Sequence, residues 1–301
     1  MKKTEAAGRS ASLQRLAPAK VNLALHVVGQ RADGYHLLET LVAFTRFGDH
    51  VSLSQAEETS ITASGPFAAE VPLNASNLIL HAHDLLTSAF PGRKLDPVLL
   101  SLEKNLPVAS GIGGGSSDAA AAAILLARHW GLELTESDLA PLLLPLGADV
   151  PMCVAARPLI ARGTGAELEY VTLPRLSIVL VNPGVPLATP PVFRALQKKD
   201  NAALPPMPGF ANAKDVIGWL GETRNDLEAP AARLVPAIHD VLAELSGERA
   251  SFARMSGSGA TCFGIFLSDD DAGRAAKNIT ERHPSWFVAP TSTRASEEIV
   301  P

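Results

Sequence analysis

The sequence predicts an α+β fold, and three observations carry that expectation. Short strand-like apolar runs recur along the chain, alternating with period two in Lys20–Val28 and continuous in Leu176–Val181. Stretches with apolar residues at helical spacing fall between them. Strands followed by helices that cover one face of a sheet make α+β layers. The 301 residues and 47% apolar content suffice for two cores.

The elements follow in order. In residues 20–28, Val21, Leu23, Leu25 and Val27 share one face, and Lys20, Asn22, Ala24 and His26 the other. This is the pattern of a half-buried strand. Asp33-Gly34 marks a turn, residues 37–47 a returning strand, and 51–63 two weaker strands. Asn77 to Phe90 reads as a helix with Leu78, Ala82, Leu85, Leu86 and Ala89 on one stripe. Val98–Leu102 is a strand feeding a glycine-rich run. Ser117–Trp130 is a helix stopped by Gly131. Thr135 and Asp138 make a capping-box variant that opens another helix, which Pro141 weakens. Pro158–Gly163 is a strand. A second half begins near 165, so the expected domains are 13–164 and 165–301. Leu176–Val181 is a buried strand and 200–215 a surface loop. Asn225-Asp226 caps a helix reaching Leu245. Phe252–Met255 and Thr261–Leu267 pair around Ser256–Gly259. A helix over Asp270–Glu281 and a strand over Trp286–Val288 complete the chain.

Composition excludes several classes of function. A net charge of −5 and scattered Lys and Arg argue against a nucleic-acid surface. No apolar run reaches the roughly 18 residues of a membrane span. Met1–Ser12 is polar, lacks an apolar signal core, and reads as a short disordered tail. Cys153 and Cys262 sit in apolar stretches, as buried thiols in a reducing cytosol. His81 and His83, two apart on a helix, point to different faces and make no metal pair.

The most informative run is Pro107-Val-Ala-Ser-Gly-Ile-Gly-Gly-Gly-Ser-Ser-Asp-Ala-Ala120. Glycines let the backbone approach a ligand, and the following helix offers unpaired N–H groups with a positive dipole end. Together they form an anion site, most often for phosphate, which points to a bound nucleoside triphosphate. Ser116 stands where a P-loop needs lysine and where a dinucleotide fingerprint needs its third glycine. The plainer alternative is a loop that only caps a helix through Ser116 or Ser117.

Lys20 and Asn22 share the polar face of the first strand, where a lysine is either solvated or aimed into a site. Asp149, between Gly147 and Pro151, is either a capping residue or a fixed proton acceptor. A kinase acting on an alcohol needs such a carboxylate or its equivalent, and cationic or N–H groups for the phosphoryl charge. Tyr35, His36 and Phe193 lie beside turns in a chain with only 5% aromatic residues. They either pack locally or clamp a planar base.

Six segments together resemble the GHMP kinase superfamily: Pro18-Ala-Lys-Val-Asn-Leu23, Arg31-Ala-Asp-Gly-Tyr-His36, the 107–120 run, Leu146-Gly-Ala-Asp-Val-Pro151, Asn225-Asp-Leu-Glu228 and Met255-Ser-Gly-Ser-Gly-Ala260. The second and fourth resemble more narrowly its branch that phosphorylates the 2-hydroxyl of a cytidine-diphosphate-linked methylerythritol in non-mevalonate isoprenoid synthesis. The match runs in order from about residue 16 to 267; Ser110, where glycine or alanine is expected, is a departure ahead of the loop's core.

The resemblance implies a ribosomal-S5-like N-terminal domain and a ferredoxin-like C-terminal domain in a cytoplasmic enzyme using ATP and Mg²⁺. It implies Lys20 and Asp149 as the catalytic pair, with Asn22 beside them. Pro107, Val108, Ala109, Ser110, Gly111, Ile112, Gly113, Gly114, Gly115, Ser116 and Ser117 would wrap the ATP phosphates, with Lys104 and Asn77 near the adenosine. Tyr35 and Phe193 would sandwich cytosine, His36 would hydrogen-bond it, and Thr189 and Pro190 would line the same pocket. The partner implied is a small molecule, with neither nucleic acid nor membrane; no oligomeric state or Mg²⁺ ligand follows. A homoserine or mevalonate type of GHMP kinase would share the loop without the aromatic clamp. A silent ligand-sensing relative would lose Lys20 or Asp149, and both are present. A nicotinamide dehydrogenase lacks support without the third glycine.

Overall fold

The computed structural model describes residues 12–295. The reading of Met1–Ser12 as a tail lies, except for Ser12, outside them. Two long strands, β1 (Leu13–Gln30) and β2 (His36–Gln55), pair antiparallel around the 31–35 turn. β2 is long enough to hold two further partners along its other edge. β4 (Val98–Glu103) joins residues 50–55, and β5 (Leu159–Gly163) joins residues 38–42. β3 (Ser60–Ser64) lies parallel to β4, and β6 (Glu167–Tyr170) closes the sheet beside β5. A second, fully antiparallel sheet has the order β10-β7-β9-β8, from β7 (Ser177–Asn182), β8 (Phe252–Met255), β9 (Cys262–Phe266) and β10 (Phe287–Ser292). The α+β expectation is met.

Helices α1 (Leu78–Ala89), α2 (Gly114–His129), α3 (Glu136–Leu143) and α4 (Val150–Ala155) cover the first sheet. In α2 the alanines Ala119–Ala123 are all buried, and their small side chains let the helix lie close against β1 and α1. On the second half, α5 (Thr189–Arg194), α7 (Glu228–Leu234), α8 (Ala237–Gly247) and α9 (Asp269–Arg282) share a core with one face of the second sheet. A third core between the two sheets takes Ile178, Leu180, Phe263 and Ile265 from the second sheet and Trp219 from α6 (Ala213–Gly221).

Several boundaries differ from expectation for physical reasons. Residues 17–27 of β1 are all buried rather than alternating, because the second half of the chain packs on Val21, Leu23, Leu25 and Val27, while Lys20 and Asn22 face the cavity and residues 202 and 224 cover His26. His26 is fully buried there. Its Nδ1 donates to Ala202 O at 3.0 Å and its Nε2 accepts from Arg224 N at 3.1 Å. β2 runs through Gly48-Asp49 without a break, since Gly48 stays paired with Pro18, so the first of the two weak strands expected over 51–63 belongs to β2. α2 begins at Gly114, three residues before the expected Ser117, because Gly113 turns the chain at φ 64. Ser116 and Ser117 are therefore inside the first turn and not caps; Ser117 Oγ donates to Pro18 O at 2.7 Å. The single helix expected from Asn225-Asp226 to Leu245 is two. Pro236 forces Val235 out of helical geometry, to φ −133 and ψ 85. α6 enters the expected 200–215 loop at Ala213 through a capping box of Asn212 and Asp215. The Thr135–Asp138 capping box forms as expected.

Candidate active site

The glycine-rich run wraps one side of a cavity of about 530 Å³ between the two halves of the molecule. The first helical bond of α2 is Ser117 N to Gly113 O. The N–H groups of Gly114, Gly115 and Ser116 therefore come before the intrahelical ladder, and all three residues line the cavity. Ile112 is fully buried beneath the loop, and its carbonyl accepts from Lys20 N at 2.9 Å. One backbone bond thus ties the glycine run to β1 at the lysine.

Register shifts between Pro18 and Lys20 and between Asn22 and Ala24 flank the polar pair on β1. Bulges of this kind re-aim side chains. Here they flank the point where Lys20 and Asn22 face the cavity. Lys20 Nζ lies 2.9 Å from Asp149 Oδ2 and donates to Asn22 Oδ1 at 3.2 Å. Asn22 Nδ2 donates to Thr40 Oγ1 at 2.8 Å, and Thr40 Oγ1 donates to Ala24 O at 2.6 Å. The ammonium is thus held from two sides. The Lys20 side chain is 6% exposed, whereas Asp149 is 45% exposed. Asp149 stands at the N-cap position of α4, but its side chain caps nothing. The carboxylate is held by the lysine and turned to the cavity, which suits proton acceptance better than helix capping.

Beneath the loop lies a buried charge cluster. Lys104 Nζ is 2.5 Å from Asp49 Oδ2 and 2.8 Å from Asp118 Oδ2. Asp49 Oδ1 also accepts from Asn105 N at 2.6 Å and Leu106 N at 2.8 Å, fixing the chain where it enters the loop. Burial pushes Asp118 up to about 8; Lys104 pulls it down and Asp49 pushes it further up. Burial alone would lower the Lys104 ammonium, but the two aspartates raise it overall. Breaking such a buried pair by removing one partner characteristically costs about 3–5 kcal/mol.

Asn77 and Lys104 also line the cavity, as do Thr189 and Phe193 on its far side. Thr189 Oγ1 is 2.8 Å from Ser258 Oγ. Phe193 stacks on the His36 ring with centroids 4.8 Å apart. His36 Nε2 is buried without a hydrogen-bond partner, and burial followed by Lys199 lowers its pKa. Tyr35 is 68% exposed. Tyr35, His36 and Pro190 do not line the cavity as it stands; Phe193 and Thr189 do. Thr40, Asp49, Asp118 and Ser256–Ser258 went unremarked as individual residues in the sequence. Asp49 lies inside a strand and Asp118 at the head of an alanine-rich helix, and only the fold brings them together at Lys104. The buried thiols are inert. Burial pushes Cys153 up to about 12 and Cys262 well above its ordinary range.

Among the described residues no helix is long and apolar enough to cross a membrane. The chain matches the description "GHMP kinases N terminal domain" over residues 77–157 and "GHMP kinases C terminal" over 208–285. A 4-diphosphocytidyl-2-C-methyl-D-erythritol kinase of Chelativorans sp. (strain BNC1) is 55% identical, covering 94% of this chain and 97% of its own. The protein of the same name from Mesorhizobium japonicum is 52% identical over 93% and 96%. The crystal structure of a 4-(cytidine 5'-diphospho)-2C-methyl-D-erythritol kinase superposes with a TM-score of 0.77 at 33% identity, covering 94% of this chain and 100% of that one. A homoserine kinase from Cytophaga hutchinsonii, at 17% identity and a TM-score of 0.68, covers 98% of each chain and shares the fold.

Proposed function

We infer, for a chain that belongs to the GHMP kinase family, that it transfers the γ-phosphoryl group of ATP to the 2-hydroxyl of 4-diphosphocytidyl-2-C-methyl-D-erythritol. The products are the 2-phosphate and ADP. The observation that carries this reading is the Lys20–Asp149 pair, 2.9 Å apart and facing the same cavity as the first turn of α2.

The roles follow from chemistry. Asp149 takes the hydroxyl proton as the substrate oxygen bonds to the γ-phosphorus and the bond to the β-phosphate oxygen breaks. Lys20 keeps Asp149 oriented and supplies positive charge beside the transferred group. The N–H groups of Gly114, Gly115 and Ser116 receive phosphate oxygens at the positive end of α2. Asn77 and Lys104 stand on the wall assigned to the adenosine.

Mg²⁺ prefers oxygen ligands and keeps several waters, binding through few protein groups plus substrate phosphates. The cavity wall fits that habit at Ser116, which lines it at the first turn of α2; its hydroxyl would hold the ion together with phosphate oxygens. When bound it neutralises phosphate charge. We place the enzyme in the cytoplasm and divide it into lobes of residues 13–164 and 165–301; the β5–β6 hairpin spans that division.

Tyr35 and Phe193 are assigned to the cytosine, with His36 as its hydrogen-bond partner through the unpaired Nε2. Binding then requires the base to enter beside Phe193 and Tyr35 to close over it. Base–aromatic stacking is worth roughly 1–3 kcal/mol, and 1.4 kcal/mol is tenfold in affinity. Tyr35→Ala and Phe193→Ala should each raise KM for the cytidyl substrate about 5- to 150-fold, with KM for ATP little changed. The two effects should be non-additive because both rings hold one base. Steady-state kinetics with each substrate varied in turn decide it; equal loss for ATP, or no change in either KM, would count against the cytosine pocket.

A further inference from the structure

The segment Asn225-Asp-Leu-Glu228 stands out in the sequence, yet the reaction as described leaves it without a role. Asn225 is buried and does not line the cavity. Its Nδ2 donates to two backbone carbonyls, Met255 O and Gly257 O, both at 2.8 Å. Its Oδ1 accepts from Leu227 N at 3.0 Å. Glu228 Oε2 accepts from Met255 N at 2.8 Å. Two side chains of one motif therefore grip the same turn after β8.

That turn grips the glycine loop. Ser256 Oγ donates to Gly111 O at 3.2 Å, and Thr261 N donates to Ser110 O at 3.2 Å. Ser256 Oγ also accepts from Asn22 N at 3.0 Å. The two loops meet backbone to backbone, since a Cβ on Gly111 would stand 2.6 Å from Gly259 O. Asp226 ties the motif to β1 directly: its Oδ2 accepts from Val27 N at 2.7 Å, and its N donates to Leu25 O at 2.9 Å.

We propose that Asn225 is a positioning residue for phosphoryl transfer, acting through the Met255–Gly259 turn to hold Ser110–Gly111 of the phosphate loop in register with Asn22 on β1. The proposal rests on the reading of residues 107–117 as the ATP loop. Asn225 touches neither substrate. It is suited to the task because one planar amide satisfies two carbonyls of the turn with fixed geometry, and no other side-chain donor bonds those two carbonyls among the described residues. Asn225→Asp keeps the size and replaces the donor with an acceptor facing two carbonyl oxygens. The damage should fall mainly on ATP, because the turn bonds Ser110 and Gly111 directly and meets the wall assigned to cytosine only where Ser258 bonds Thr189.

The test is calorimetric titration of a non-hydrolysable ATP analogue, with KM for both substrates and melting curves, on wild type, Asn225→Asp, Ser256→Ala and the double variant. At about pH 8, Asn225→Asp should weaken the analogue and raise KM for ATP about 10- to 100-fold, leaving KM for the cytidyl substrate within about twofold. Ser256→Ala should shift ATP in the same direction by less, and the double variant should add little to Asn225→Asp. Lowering the pH should restore part of the affinity of Asn225→Asp, because a buried carboxyl against two carbonyls takes up a proton and regains a donor. A merely structural role would lower the concentration of active enzyme and leave both KM values unchanged. That outcome, or wild-type ATP affinity in both folded variants, overturns the proposal. Should Asn225→Asp fail to fold, Ser256→Ala decides alone. Absence of binding by the wild type would instead overturn the reading of the loop.

Discussion

Asp149→Asn is expected to lower kcat by about 10²–10⁴-fold while leaving ATP affinity nearly unchanged, the usual range for loss of a general base. The amide is close to isosteric, so the turn ahead of α4 should persist: Asp149 makes no capping bond with its side chain that the change would remove. What disappears is the proton acceptor, together with the charge opposite the Lys20 ammonium at 2.9 Å. Lys20 keeps its bond to Asn22 Oδ1 and need not move far. Single-turnover kinetics beside analogue titration separate the chemical step from binding. Wild-type turnover in Asp149→Asn would show that the proton goes elsewhere.

Gly113→Val should cost about 10- to 100-fold in ATP affinity. Gly113 is the hinge between loop and helix at φ 64, a conformation that a β-branched residue resists. A Cβ there would also stand 3.0 Å from Lys20 Cβ and Cε. The change therefore strains the first turn of α2 and pushes on the catalytic lysine at once, so kcat should fall as well. Gly114, one residue on, has no positive φ, and a Cβ there would meet the Lys104 ammonium at 3.0 Å. The strain argument thus belongs to Gly113. Analogue titration and a melting curve check it; unchanged affinity in the folded variant would mean that the loop does not hold phosphate.

How much of this was legible in the sequence depends on the range of the interaction that fixes each part. The glycine run, the helix after it and the strand with Lys20 and Asn22 follow from local spacing, and they stand close to where the sequence put them. The capping box at Thr135–Asp138 was legible for the same reason. The break at Pro236 should have been legible, since a proline disrupts the helical pattern before it; the apolar periodicity on both sides hid it. The Asp49–Lys104–Asp118 cluster was not legible. Its members come from β2, the end of β4 and α2, and only the fold brings them together. The same holds for the burial of His26, which depends on residues 202 and 224 lying over β1. Asp149 was legible as a candidate and, through the resemblance, as the partner of Lys20, whereas their direct contact at 2.9 Å needed the structure. Asn225 was visible in the motif, whereas its two carbonyl partners in the 255–257 segment were not.

The central claim is that this cavity phosphorylates a cytidine-diphosphate-linked alcohol, and the acceptor decides it most directly. Purified enzyme with ATP and Mg²⁺ should be offered 4-diphosphocytidyl-2-C-methyl-D-erythritol, homoserine and mevalonate separately, with ADP release coupled to a spectrophotometric readout and the product identified by phosphorus NMR. The account predicts turnover with the cytidyl substrate, a new phosphomonoester on its 2-oxygen, and no more than background with the other two. Turnover of homoserine or mevalonate at a higher kcat/KM than the cytidyl compound would contradict it.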